Sequence, residues 1–266
     1  MWTYFGIRIQ KRSVWLGLVV GISLSVIQIA QSLDGQLLSR NLFFESPYTR
    51  WLGMDPFNFS ALLFYILLPL IAALPAGSVL HRDLTSGLIG QVKMRRNLKS
   101  TLWGYVWAAF ITGALVVGIA LSVNLAVYFM VLPNIRPDNL LNANVAVMSQ
   151  NTLFVTLYYQ HPLLHALLSL TFASFWAGLF AAFATITAFW INNQFLVLAM
   201  GFFLQIVLLV ANTILRLPGQ VSYVPMDFLK ETANSFISLP VAGSVTLAMV
   251  LIIVSMVHWG GKRVGW

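Results

Sequence analysis

Six stretches of the chain run for about 17 residues or more without an acidic or basic side chain, the length a helix needs to cross a bilayer. They cover residues 14–31, 57–80, 101–132, 163–191, 195–215 and 236–257. Charge is scarce throughout: 8% of residues are charged and 59% are hydrophobic, against about 25% charged in ordinary globular chains. Twenty-two ionisable Asp, Glu, Lys and Arg side chains cannot coat a water-facing body of this size. The expected fold is therefore all-α, a polytopic membrane protein with six transmembrane helices in one domain spanning residues 1–266. Zero Cys removes disulfides, thiolate metal sites and Cys nucleophiles together.

The first stretch follows Arg8, Lys11 and Arg12, as the core of a signal peptide does. We read it as a span, because its apolar run exceeds the usual signal core. Ile29, Ala30, Gln31 and Ser32 also give no small-x-small cleavage site.

Lys and Arg are retained in cytoplasmic loops and depleted from translocated ones. With both termini cytoplasmic, the inner segments hold ten basic residues and one acid, Asp83, while the outer loops, 32–56, 133–162 and 216–235, hold five basic and six acidic. The net charge of +8 then reflects topology, and nucleic acid is not an expected partner. The first dozen residues, with Trp2, Tyr4, Phe5, Ile7 and Ile9 among the basic ones, either lie along the inner headgroups or simply anchor the first span.

Pro69 and Pro75 fall in the second stretch and are expected to bend it. Gly17 and Gly21 form a Gly-x-x-x-Gly ridge, and Ala173, Ala177, Ala181 and Thr185 a second small-residue ridge. Each packs either within the chain or across a dimer. Gln205 and Asn212, seven apart on one helix face, either line a polar path or hydrogen-bond a neighbouring helix. The outer loops carry apolar residues such as Leu140, Val145, Phe154, Val221 and Phe228, expected in short helices dipping into the outer interface.

None of the charged residues lies well inside a stretch, where ion-coupled transporters keep carboxylates despite their cost. His81, His161, His165 and His258 sit at span ends, without metal-ligand spacing. Gly77-Ser78 and Gly243-Ser244 lack a His partner at the midplane, and no phosphate-cradling loop is present. No metal site and no catalytic residue is therefore expected, nor ATP hydrolysis by the chain itself.

The inner loop 81–100 holds half the inner basic residues, and Leu84, Leu88 and Val92 recur at helical spacing. A short helix with an apolar edge is expected there. Asp83, Gly87 four positions on, and Lys99 before the third span resemble the inner-loop pattern of permease subunits of type-2 ATP-binding cassette transporters. These are six-span proteins of similar length with both termini inside. Asp stands where Glu is usual, and the Pro often found before the basic position is missing. The resemblance implies an ATP-driven exporter whose energy comes from a separate cytoplasmic ATP-binding subunit dimer, with ATP and Mg bound on that partner. Asp83, Leu84, Gly87, Leu88, Arg95, Arg96 and Lys99 would then form the docking loop. A second permease chain, identical or related, would complete the pore, with Gly17, Gly21, Gln205 and Asn212 near the pathway or dimer contact. A bacterial plasma membrane is the implied setting, with its lipid as a partner. The cargo would be an amphipathic peptide, a lipid-linked molecule or a drug. The other reading is a membrane scaffold or immunity-type protein that transports nothing.

Overall fold

The structure, a computed structural model, describes residues 8–39, 46–55, 58–95, 97–138, 153–231 and 236–263, with side chains at 34–39, 93 and 95 outside the description. The described residues are almost entirely helical, with one isolated bridge between Val221 and Phe236 in place of any strand. Five helices are long and apolar enough to cross a membrane: α1 (Lys11–Ser39), α6 (Leu98–Val131), α8 (Pro162–Thr187), α9 (Gln194–Ile214) and α11 (Leu239–Arg263). The chain is thus a multi-pass membrane protein. Short helices fill the connections: α2 (Pro47–Arg50), α4 (Val79–Thr85), α5 (Leu88–Arg95), α7 (Val155–Gln160) and α10 (Pro225–Leu229).

The second apolar stretch departs from a single continuous helix. It forms α3 (Phe59–Ala73), 15 residues long, which at 1.5 Å per residue reaches about 22 Å and falls short of a bilayer core of about 30 Å. A turn through 74–78 follows, and α4 then resumes the path. The cause is proline chemistry. Pro75 lacks the N–H that would close a bond to Ile71, which removes a rung of the ladder just where α3 gives way to the turn. Pro69 is accommodated inside α3, leaving the Tyr65 carbonyl without its usual partner four residues on.

Neighbouring helices crowd this weakened segment through glycines. A Cβ at Gly17 of α1 would lie 3.5 Å from the Ile71 carbonyl oxygen, and one at Gly113 of α6 only 2.8 Å from that of Ala72. From α9, a Cβ at Gly201 would meet Pro69 Cβ at 3.2 Å. Both predicted small-residue ridges pack within the chain. Gly21 faces Ala120 of α6, while Gly113 of α6 faces Ala177 and Ala181 of α8. Without a hydrophobic drive between helices in lipid, such close backbone contact supplies the dispersion that holds spans together.

Helices α6 and α8 thus form the centre with α3 between their partners. α1 packs on α3 and α6, α9 on α3 and α8, and α11 on α8 and α6. Exposed apolar side chains such as Val19, Leu115, Val207 and Leu251 form the outer surface, as lipid permits.

Candidate functional site

The inner loop folds as an elbow, α4 then α5, joined at Ser86 and Gly87. Gly87 has φ of +71°, the left-handed region that glycine enters without penalty, and no atom lies within 4 Å of where its Cβ would be. Asp83 does not face outward with it. Its side chain is buried, its Oδ2 accepts a hydrogen bond from Tyr105 Oη of α6 at 2.5 Å, and Arg8 Nη1 lies 3.5 Å from Oδ1. The carboxylate therefore ties the first arm of the elbow to α6 and to the start of the chain.

The second arm is loosely held. Leu84, Leu88 and Val92 are each half-buried, and Ile89, absent from the expected apolar edge, is the fully buried contact. Met94 stands 82% exposed. Lys99 is exposed in the first turn of α6, where its N–H donates to the Asn97 side chain at 3.0 Å. Arg95 ends α5, but its side chain and the whole of Arg96 lie outside the described residues.

Gln205 is completely buried and repairs the Pro69 defect. Its Nε2 donates to the carbonyls of Tyr65 at 2.8 Å and Ile66 at 3.2 Å, the first being the acceptor that Pro69 leaves open. Asn212, two turns further along α9, is half-buried and lines a separate recess with Arg216, Ser222 and Phe236. The two amides that share a helix face therefore serve different places. Gly17 and Gly21 are spent on contacts within the chain.

The opposite end of the bundle holds two buried polar clusters. Gln28 of α1 is the hub of the first: its Oε1 accepts from Asn124 Nδ2 and Tyr128 Oη, both at 3.0 Å and both from α6. Its Nε2 donates to the Arg50 carbonyl at 2.9 Å and to Asp55 Oδ2 at 2.6 Å. Asn124 Oδ1 accepts from the Leu52 N–H at 2.9 Å, and Asn58 donates to Asp55 and to Ser32. This network clamps Arg50, Leu52, Asp55 and Asn58 against α1 and α6, so Asp55 is fully buried although it stands outside every apolar stretch.

In the second cluster, Glu231 reaches α8 from the segment after α10. His165 Nε2 lies 2.7 Å from Glu231 Oε2, and Ser169 Oγ donates to Oε1 at 2.7 Å. All three are buried, with the Tyr158 ring edge-on to His165. Ser169 gives its hydroxyl hydrogen to Glu231, so the carboxylate is held from two positions one turn apart on α8. Phe228 lies in the short helix α10 and is fully buried against Phe172 and Trp176, and Leu140 and Val145 lie outside the described residues. Burial pushes the neighbouring Lys230 ammonium below its usual range, while Asp55 and Asp227 pull it back. Burial also raises Tyr48, opposed by Asn134 and Arg136.

Sequence reasoning did not find the two clusters. Their partial signals were Gln28 and Asn124 as polar residues within apolar stretches, and His165 and Ser169 four apart on one face of α8. Asp55 and Glu231, brought in by loops, carry no local signal. Among the described residues, no group of three or more His, Asp or Glu is arranged to hold a metal ion. No family model, curated protein or solved structure matches this chain significantly.

Proposed function

We propose that the chain is the membrane subunit of an ATP-driven exporter of the type-2 ATP-binding cassette class, coupled to a separate cytoplasmic ATP-binding subunit dimer through the α4–α5 elbow. In this reading it has six spans, the second made of α3, the turn and α4, and both termini are cytoplasmic. The orientation rests on the ten-to-one excess of basic over acidic residues in the inner segments.

The observation that carries the reading is the asymmetry of the elbow. Asp83, Tyr105 and Arg8 fasten one arm to the bundle, whereas the other hangs beyond a glycine hinge with an exposed face. A partner that grips α5 pushes on α4 and α6 together. α4 leads into the broken second span, whose proline turn at 74–78 interrupts the helix. ATP-driven closure of the partner thereby reaches the helices without any charge inside the membrane.

Purification of the chain from its native membrane tests this reading. An ATPase that copurifies, and whose hydrolysis loses its link to transport when Gly87 is replaced by Trp, supports it. A Gly87→Trp protein with wild-type coupling would remove the elbow from the mechanism. Partner assembly or protection of the cell that proceeds without ATP would favour the scaffold reading.

A further inference from the structure

At the end of the bundle that carries the two polar clusters, a recess of about 350 Å3 opens between α2, the segment after α6 and the start of α8. Its polar wall comes from Tyr48, Asn134, Arg136, Gln160 and His161, and its apolar edge from Leu163 and Leu164. Tyr48 is the buried part of that wall, 5% exposed and edge-on to Phe129 of α6 with ring centroids 5.3 Å apart. Asn134 hydrogen-bonds its hydroxyl, and the Arg136 guanidinium is close enough for its charge to act on the same oxygen. Residues far apart in the sequence thus converge on one place.

The charge in the recess is left over. Arg136 makes no ion pair among the described residues, and none of the described residues that line the recess is acidic. Asp138, two positions on, is not part of the lining. A guanidinium cannot shed its proton, so the complement of this wall is an anion. The start of α8 points the same way. Pro162 has no N–H and the His161 side chain does not cap the helix, which leaves the N–H groups of Leu163 and Leu164 without an acceptor inside it. This helix end reinforces a site that Arg136 and Tyr48 already define. Depth selects the anion. Leu163 and Leu164 are 47% and 55% exposed, and Met130 in the last turn of α6 is 84% exposed, so the apolar surface of the spans begins at the edge of the recess. Phosphate is the anion a bilayer carries where hydrocarbon gives way to headgroups. The planar fork of an arginine matches two of its oxygens, and the Asn134 and Gln160 amides are further donors in the same wall.

We propose that this recess is a binding site for a phosphate group, with Arg136 as its charge partner and Gln160, His161 and the start of α8 around it. A lipid headgroup and free phosphate present the same chemistry there. The site depends neither on coupling to an ATPase nor on which side of the membrane this end faces. Calorimetric titration of the full chain in a neutral detergent, with dihexanoyl phosphatidic acid, dihexanoylglycerol and sodium phosphate in turn, provides the test. Phosphatidic acid should give a saturable component that dihexanoylglycerol, with the same tails and no phosphate, does not. Arg136→Gln should weaken that component on the order of tenfold, and Arg136→Lys, which keeps the charge but loses the fork, should fall between. Arg136 is exposed, so both variants should melt as the wild type does. Tighter binding of phosphatidic acid than of sodium phosphate would support the site and assign it to a headgroup, and equal affinities would support it and assign it to soluble phosphate. Wild-type protein that responds alike to phosphatidic acid and dihexanoylglycerol would overturn the site. So would phosphate binding that survives Arg136→Gln at full strength.

Discussion

Single side chains make the sharpest commitments. Asp83 was legible as the one inner acid but not as a buried one, because the partners that bury it, Tyr105 and Arg8, come from other segments. Asp83→Lys would set a second cation beside Arg8 in a buried site, and the protein should be lost from the membrane fraction. Asp83→Asn should keep the fold and cost about 1–3 kcal/mol in a denaturation titration. Gln205→Leu should destabilise by about 0.6–1.7 kcal/mol, the range measured for hydrogen bonds between membrane helices, and Pro69→Ala in that background should recover most of the loss by restoring the N–H that closes on Tyr65. If Gln205→Leu were equally harmful with and without Pro69, its role would not be repair of the proline gap. Lys230 gives a pH dependence. Its folded-state value lies below the unfolded one near 10.5, so the unfolded chain takes up the proton first as pH falls. Its contribution is therefore a penalty at neutral pH that lifts as pH rises through the window up to 10.5. Lys230→Gln should flatten that alkaline rise in stability.

At the level of elements, uninterrupted apolar length located five helices to within a few residues at most ends, the main exceptions being the longer tails of α1 and α11. In the second stretch Pro69 and Pro75 announced a bend but hydropathy did not show where the helix gives way, because it averages over Pro75 whereas the backbone loses a hydrogen-bond donor there. The buried clusters were illegible for a different reason. Asp55 and Glu231 are polar residues in loops, and only the packing of those loops onto α1, α6 and α8 shows that they are interior. The small-residue ridges left their partner open, and the geometry decides for contacts within the chain. The absence of native Cys makes this directly testable. A Gly21→Cys/Ala120→Cys pair should oxidise to an intramolecular disulfide that leaves the monomer's electrophoretic mass unchanged, whereas a covalent dimer would contradict the packing. Gly113→Val should be more damaging than Gly21→Ala, costing about 1–3 kcal/mol as an overpacked core does, since its Cβ would fall 2.6 Å from Ala181 Cβ.

For the whole molecule, the distribution of charge and the distribution of rigidity divide the chain in the same way. The end carrying Asp55, Gln28, Asn124, His165 and Glu231 is bound by buried polar networks, whereas the end carrying α5, Lys99 and Lys262 is basic, exposed and hinged at Gly87. In the proposed reading the hinged end receives the input from the cytoplasm, the side on which its excess of Lys and Arg is expected. The measurement that bears most directly on this account is photocrosslinking from Met94, the exposed side chain on α5, in the native membrane with the adducts identified by mass spectrometry. The account predicts a single dominant protein adduct, an ATP-binding subunit, formed more strongly with a non-hydrolysable nucleotide present. Adducts to lipid alone, or to proteins that bind no nucleotide, would contradict it.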